Sequence, residues 1–455
     1  MIKQVIKFGG TCLGNKHKYK WIANEIKTNY VNNHIFPIIV VSAISSKNKE
    51  EGTTSNLIKC LSSSDYTPHL DSIKKNHIKL IQELDLENTG IYTSVLPKFE
   101  KIELLAKSAT LLQYNAAENS IMNHTLYENI VKIGEDLSAE LMNTYLIKEG
   151  VNMTYLNLEN IIPKDLDTPI NIYDDALIEN IYDFYVRSIF NSKQGLVTSG
   201  YIGNWGKYGG ILNVLNRGYS DYTGALICKA VQANKMIVYK DSSAIFTLNP
   251  TKYKQATLVD TLSFDELILL TNAGNEALHK HATTILKKDN IPITIRNAFK
   301  KKIEKTDIGP YSDSQHIVAL TDKQCHIVYI PLESIRDIHS ILKQLETNRH
   351  IDINAISYTQ KELSIIISGD SNDIDIHPKM TITSNKKLIS IIGHHIHNNI
   401  GIAGKIFNTI SKLDANINNI IQTNSENCIS FVVDEKDSEK ILERLHDTFI
   451  VHSSD

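Results

Sequence analysis

Short β-branched runs alternate with longer helical patterns through residues 1–300, and this alternation limits the fold more than any other feature of the chain. Strand-like runs occupy Val5–Phe8, Ile38–Val41, Leu196–Thr198, Ile237–Tyr239 and Ile291–Ile295. Helix-like stretches such as Leu137–Leu146 and Tyr222–Ala233 lie between them. Strands that are apolar on both faces, separated by helices, predict an α/β unit with a mostly parallel sheet covered on each side. With 455 residues, the chain is too long for one ordinary core, and two or three domains are expected.

The pattern changes at Phe299–Ser314, where a lysine cluster, Gly309-Pro310, serines and aspartates replace the apolar runs; this stretch is read as a domain boundary. Beyond it a strand–helix–strand–strand pattern occurs twice. The first copy runs from Cys325–Pro331 through a helix bearing Ile335, Ile338, Leu342 and Leu345 to Ile353–Tyr358 and Leu363–Ile367. The second runs from Leu388–Gly393 through Ile402, Ile406, Ile410 and Leu413 to Ile417–Gln422 and Cys428–Val433, and a helix with Ile441, Leu445 and Phe449 closes it. Helical spacing between strand pairs is the βαββαβ, ferredoxin-like signature, so two small modules are expected here.

Net charge of −3 with 22% charged residues gives no basis for nucleic acid or an anionic membrane as partner. The N-terminus carries no apolar signal region, and no uninterrupted apolar run approaches the ~18 residues of a membrane span. Cys12, Cys60, Cys228, Cys325 and Cys428 are scattered and form no Cys-x-x-Cys, which favours free thiols in a reducing compartment, the cytoplasm.

The first strand runs into Gly9-Gly10-Thr11, where the absence of Cβ atoms lets backbone N–H groups close on an anion, and Lys7 precedes them. No Gly-x-x-x-x-Gly-Lys-Ser/Thr occurs, so this is not a P-loop. Further motifs follow in order: Val40-Val41-Ser42-Ala43, Glu51-Gly52-Thr53-Thr54-Ser55, Gly134-Glu135-Asp136-Leu137-Ser138, Leu215 to Thr223 with Arg217-Gly218-Tyr219-Ser220-Asp221, and Ile402-Ala403-Gly404. Taken together over nearly the whole chain, these resemble the motifs of aspartate kinases, with the segment at Glu51 closest to the fungal version.

The resemblance implies a three-layer αβα amino-acid kinase sandwich over residues 1–305, followed by ACT domains at 318–383 and 384–455. It implies transfer of the γ-phosphoryl group of ATP, with Mg²⁺ on the nucleotide, to the β-carboxylate of L-aspartate, the first step towards lysine, threonine and methionine. Such a transfer needs positive charge on the moving group and two substrates held in line, and little covalent help. Lys7 and Asp221 would then be catalytic, Lys7 on the transferred group and Asp221 organising Lys7 and the metal-bound phosphates. Gly9, Gly10, Thr11, Ser220, Lys240, Asp241, Phe246 and Asn249 would meet the nucleotide, while Ser42 and Thr54 line the substrate loop. Glu135 would hold the amino group of aspartate and Arg217 its α-carboxylate, for which a guanidinium fork is well shaped. An amino-acid effector at the ACT domains and a homodimer, or a larger homo-oligomer, paired through them are also implied.

Some positions depart from the family pattern. Ser243 stands for an aspartate, Ala244 for a glycine, Asn249 for an aspartate and Thr251 for an arginine along the nucleotide segment, while Asn216 and Ser46 replace glycines. These changes keep a second reading open: an ACT-bearing regulatory homologue, weak or inactive as a kinase, that binds aspartate or an effector. A kinase for another acidic metabolite such as glutamate is a third. The run Gly393-His394-His395-Ile396-His397 is read as a loop and not as a metal site, since no carboxylate or cysteine stands near it at ligand spacing in sequence.

Overall fold

The computed structural model describes residues 1–46, 48–115, 121–158, 175–191, 195–201, 218–241, 244–275, 277–300, 304–311, 317–334, 336–347, 351–369, 379–394, 396–422 and 427–451. Along the chain run β1 (Ile2–Phe8), α1 (Lys16–Glu25), β2 (Ile35–Val41), α2 (Thr53–Ser62), α3 (Thr67–Glu83), α4 (Ile91–Leu111) and α5 (Ile121–Lys148). Next come β3 (Met153–Leu156), α6 (Asp175–Asn191), β4 (Gly195–Ser199), α7 (Tyr219–Val231) and β5 (Lys235–Lys240). They are followed by β6 (Thr261–Ser263), α8 (Phe264–Asn272), α9 (Lys280–Lys288), β7 (Ile293–Asn297) and β8 (Lys305–Gly309). The remainder holds β9 (Ala319–Pro331), α10 (Asp337–Thr347), β10 (Asp352–Tyr358), β11 (Glu362–Ser368), β12 (Thr381–Ile392), α11 (Ile402–Ser411), β13 (Ile417–Ile421), β14 (Cys428–Asp434) and α12 (Glu435–His446). Two compact units form: Met1–Ala244 with His281–Pro310, and Ile245–Lys280 with Tyr311–Asp455.

In the first unit the strands lie in the order β3-β4-β2-β1-β5-β7-β8. All pair in parallel except β8, which runs antiparallel to β7. The stretch read as a boundary therefore carries a strand before the unit ends. Its alternation of Thr306 and Ile308 with polar neighbours is too short to stand out in sequence. Residues Val5–Phe8 and Phe36–Val41 are buried throughout, as a sheet covered on both faces requires. Successive side chains of β1 leave on opposite faces. Ile6 and Phe8 join a core with Tyr19, Ile22 and Leu137 from α1 and α5, whereas Lys7 meets Asp221 of α7. The register sets the exits of the central strands level: Phe8 lies opposite both Val41 and Tyr239, and Val41 opposite Ser199. The residues immediately beyond them share one carboxyl edge, the usual place for a ligand in such a sheet.

The second unit contains a six-stranded antiparallel sheet in the order β10-β11-β9-β12-β14-β13. Each repeat supplies a βαββ set of three strands, and the two first strands pair with each other, Ala319 opposite Ile392. The closing helix expected of a βαββαβ module is seen once among the described residues, as α12; residues 370–378, which follow β11, lie outside them. One core gathers Val328, Ile341, Leu363 and Ile365; the other gathers Ile389, Ile406, Phe431 and Leu445 together with Leu248 and Tyr253. All five cysteines are buried free thiols. Among the described residues no helix is long and apolar enough to cross a membrane.

Candidate functional site

The carboxyl edge of the first unit is laced together by backbone hydrogen bonds. Gly9 N donates to Tyr239 O at 3.2 Å, Ser42 N to Phe8 O at 3.2 Å and Ser45 N to Gly10 O at 3.1 Å. A side chain at position 10 would place its Cβ 2.1 Å from the Ala43 carbonyl oxygen, so only glycine lets the exits of β1 and β2 come this close. Beneath the turn, Tyr239 stacks on Phe8 with ring centroids 4.9 Å apart and donates from its hydroxyl to Glu25 Oε1 at 2.6 Å. Arg296 reaches the same carboxylate at 3.3 Å.

Beside this edge sits a buried ion pair. Lys7 Nζ stands 2.7 Å from Asp221 Oδ1, and each residue is 8% exposed. Asp221 occupies the first turn of α7, where the helix dipole favours a carboxylate. Burial by itself would push the lysine pKa down, but the charges of Asp221 and Glu135 outweigh it and hold the ammonium above the ordinary lysine value. Ser42 Oγ and Ser220 Oγ are 2.8 Å apart, which joins the exit of β2 to the start of α7.

Glu135 reaches the same place from α5. Burial, helped by the Asp136 charge, raises its carboxyl to about 8 against the opposing pull of Lys7 and the Ala43 and Gly200 N–H groups. Gly200 follows β4 in the crowded space between these groups. An added Cβ there would lie 2.2 Å from Ser220 Cβ and 2.8 Å from Glu135 Oε2. The structure thus brings together Lys7, Asp221, Ser42, Ser220, Glu135, Gly9 and Gly10.

A second polar cluster adjoins the glycine turn. Thr11 Oγ1 donates to Asp241 Oδ1 at 2.6 Å, and Lys18 Nζ lies 3.4 Å from Asp241 Oδ2. Both Thr11 and Asp241 line a cavity of about 690 Å³ that also takes in Ser45, Ser46 and Thr53, but not Lys7, Asp221 or Glu135. Thr54, half-buried in the first turn of α2, follows Thr53. Lys240 is half-buried at the end of β5.

Phe246 and Asn249 belong to the second unit. Phe246 bridges to Leu258, and Asn249 Oδ1 accepts from Thr251 N at 3.0 Å and Thr251 Oγ1 at 2.7 Å. Two departures from the family pattern therefore satisfy each other. Arg217, Asn216 and Ser243 lie outside the described residues. In the histidine run, His394 Nδ1 is 3.8 Å from Glu266 Oε1, a carboxylate remote in sequence that local spacing does not reveal. Sequence reasoning missed Gly200 and Lys18. The small residues Thr198-Ser199-Gly200 at the end of an apolar strand were a signal for the first; a lysine inside a polar helix gave none for the second.

Residues 3–297 match the amino acid kinase family, and residues 389–449 match the ACT domain. The aspartokinase of Saccharomyces cerevisiae is 28% identical, with 97% of this chain and 92% of the relative covered. That of Candida albicans is 26% identical, over 97% of this chain and 89% of the relative. The crystal structure of E. coli aspartokinase III in complex with aspartate and ADP (R-state) superposes with a TM-score of 0.81 at 19% identity, covering 99% of this chain and 100% of that one. The same enzyme in complex with lysine and aspartate (T-state) gives 0.74 over 98% and 99%.

Proposed function

The chain belongs to the amino acid kinase family, and from that premise we propose that it is an aspartate kinase, converting ATP and L-aspartate into ADP and 4-phospho-L-aspartate. The observation that carries the reading is the buried Lys7–Asp221 pair with the Glu135 carboxylate beside it. An ammonium held protonated at this edge supplies positive charge to a phosphoryl group in transfer. The β-carboxylate of aspartate is already ionised, so its oxygen forms the new bond to the γ-phosphorus as the bond to the ADP oxygen breaks, and no general base is needed. Asp221 orients Lys7 and keeps it charged. Glu135 pairs with the substrate ammonium, which relieves the cost of a buried carboxylate, and Arg217 takes the α-carboxylate. Ser42, Ser220 and Thr54 offer hydroxyls to the substrate and the transferring group.

Gly9, Gly10, Thr11, Lys240 and Asp241 serve the nucleotide. Magnesium would travel with the nucleotide and neutralise phosphate charge. The donors that would fit it are the carboxylates of Asp221 and Asp241, each already paired with a lysine. The catalytic domain is assigned to residues 1–305 and the ACT domains to 318–383 and 384–455. An amino-acid effector binds the latter, a homodimer forms through them, and the protein works in the cytoplasm.

A second reading, a regulatory homologue with weak or absent turnover, draws support from the Asn249–Thr251 hydrogen bonds, which turn that carboxamide onto its own loop. A coupled ADP-release assay across aspartate, glutamate and acetylglutamate separates the readings. ADP release with aspartate alone is the expected result. Release with glutamate or acetylglutamate in its place would reject the substrate, and aspartate binding without release would favour the regulatory reading.

A further inference from the structure

We propose that Lys18 is a positioning residue for the nucleotide: it fixes the glycine turn against Asp241 and neutralises that carboxylate where phosphate charge must arrive. This rests on the kinase reading above, in which Thr11 and Asp241 meet ATP. Lys18 Nζ donates to the Thr11 carbonyl oxygen at 2.5 Å and lies 3.4 Å from Asp241 Oδ2, while the Thr11 hydroxyl takes the other carboxylate oxygen at 2.6 Å. Three residues from three elements, the exit of β1, the first turn of α1 and the exit of β5, thereby close a ring.

Lys18 is itself held in place. Asn15 caps α1 by accepting from Lys18 N at 3.1 Å, and the Lys18 ammonium stands 5.2 Å from the centre of the Phe299 ring. That ring packs edge-on against Trp21, one turn further along the same helix, with centroids 5.2 Å apart. An exposed lysine–carboxylate pair contributes little, because two long side chains lose freedom and water screens the charges. This pair differs: the Lys18 and Asp241 side chains are 24% and 20% exposed, and the ammonium also serves a backbone carbonyl. Both residues line the cavity beside the glycine turn. Without Lys18, Asp241 would present an uncompensated negative charge to the phosphates.

The test compares the full-length protein with Lys18→Met and Lys18→Arg, using calorimetry with magnesium–ADP and steady-state kinetics. Lys18→Met should weaken ADP binding and raise the KM for ATP roughly tenfold, the scale of one charge-assisted contact. The KM for aspartate and the Tm should barely move, and Lys18→Arg should restore most of the loss. Asp241→Asn should cost less in the Lys18→Met background than in the parent. Unchanged nucleotide binding in Lys18→Met would overturn the proposal, as would equal losses for nucleotide and aspartate with a fallen Tm, the mark of a merely structural role. A parent that binds no nucleotide would overturn it too. A parent that binds ADP through Lys18 but turns over no aspartate would uphold the role of Lys18 and reject the aspartate kinase reading instead.

Discussion

At the scale of single residues, three buried ionisable groups decide most. Lys7 and Asp221 neutralise each other, so removing one strands the other in a poorly solvated place. Lys7→Ala should lower kcat by roughly 10²–10³-fold, the scale of one lost transition-state donor. It should also lower stability by about 3–5 kcal/mol, the cost of an unpaired buried charge. The double variant Lys7→Met with Asp221→Asn should regain stability in chemical denaturation while remaining inactive, which separates the two roles. Glu135 is the third of them. Its folded-state pKa of about 8 lies above the ordinary carboxylate value, so the folded protein holds that proton more tightly than the unfolded chain. The stability this contributes is complete below the unfolded pKa and is lost as pH rises through about 8. Glu135→Gln should therefore be more stable than the parent at pH 9, by on the order of 1–3 kcal/mol. A substrate ammonium needs the ionised form, so aspartate affinity in the parent should rise between pH 7 and pH 9, and calorimetry on Glu135→Gln should show that slope abolished.

At the scale of elements, the site depends on the starts of helices meeting the ends of parallel strands. Gly200 lets α7 approach β4, and a methyl group there would meet Ser220 and Glu135 at once. Gly200→Ala should therefore cut kcat/KM for aspartate by an order of magnitude or more, and the loss should fall more on aspartate than on ATP. These strands were legible because burial on both faces writes continuous apolar runs: Val5–Phe8, Ile38–Val41 and Ile237–Tyr239 all fall inside observed strands. The same alternation that buries Ile6 and Phe8 turns Lys7 to the other face, and it was the glycine turn after Lys7, together with the motifs downstream, that marked it in the sequence. What stayed hidden is long-range. The short antiparallel strand β8 lies in a stretch of loop-like composition. Lys18 depends on the exits of β1 and β5 lying side by side, which no local spacing encodes.

At the scale of the whole molecule, the repeats of the second unit were visible as recurring helical spacing between strand pairs. The direct pairing of their first strands across β9 and β12 was not, because antiparallel register between remote segments leaves no periodic trace. The outermost strands, β10 and β13, end the sheet, with Tyr358 59% and Ile420 54% exposed. Exposed apolar edges invite pairing with another copy. Sedimentation at micromolar concentration should give a dimer or larger species, and Ile420→Lys should shift it towards monomer without loss of fold by circular dichroism. A monomeric parent would remove the assembly from the proposal. The central claim is that this chain phosphorylates the side-chain carboxylate of aspartate, and hydroxylamine trapping of the acyl phosphate tests it most directly. With ATP, magnesium and aspartate, the parent should yield β-aspartyl hydroxamate in step with ADP, and Lys7→Ala should yield almost none. ADP release without hydroxamate, or equal hydroxamate from both proteins, would contradict the claim.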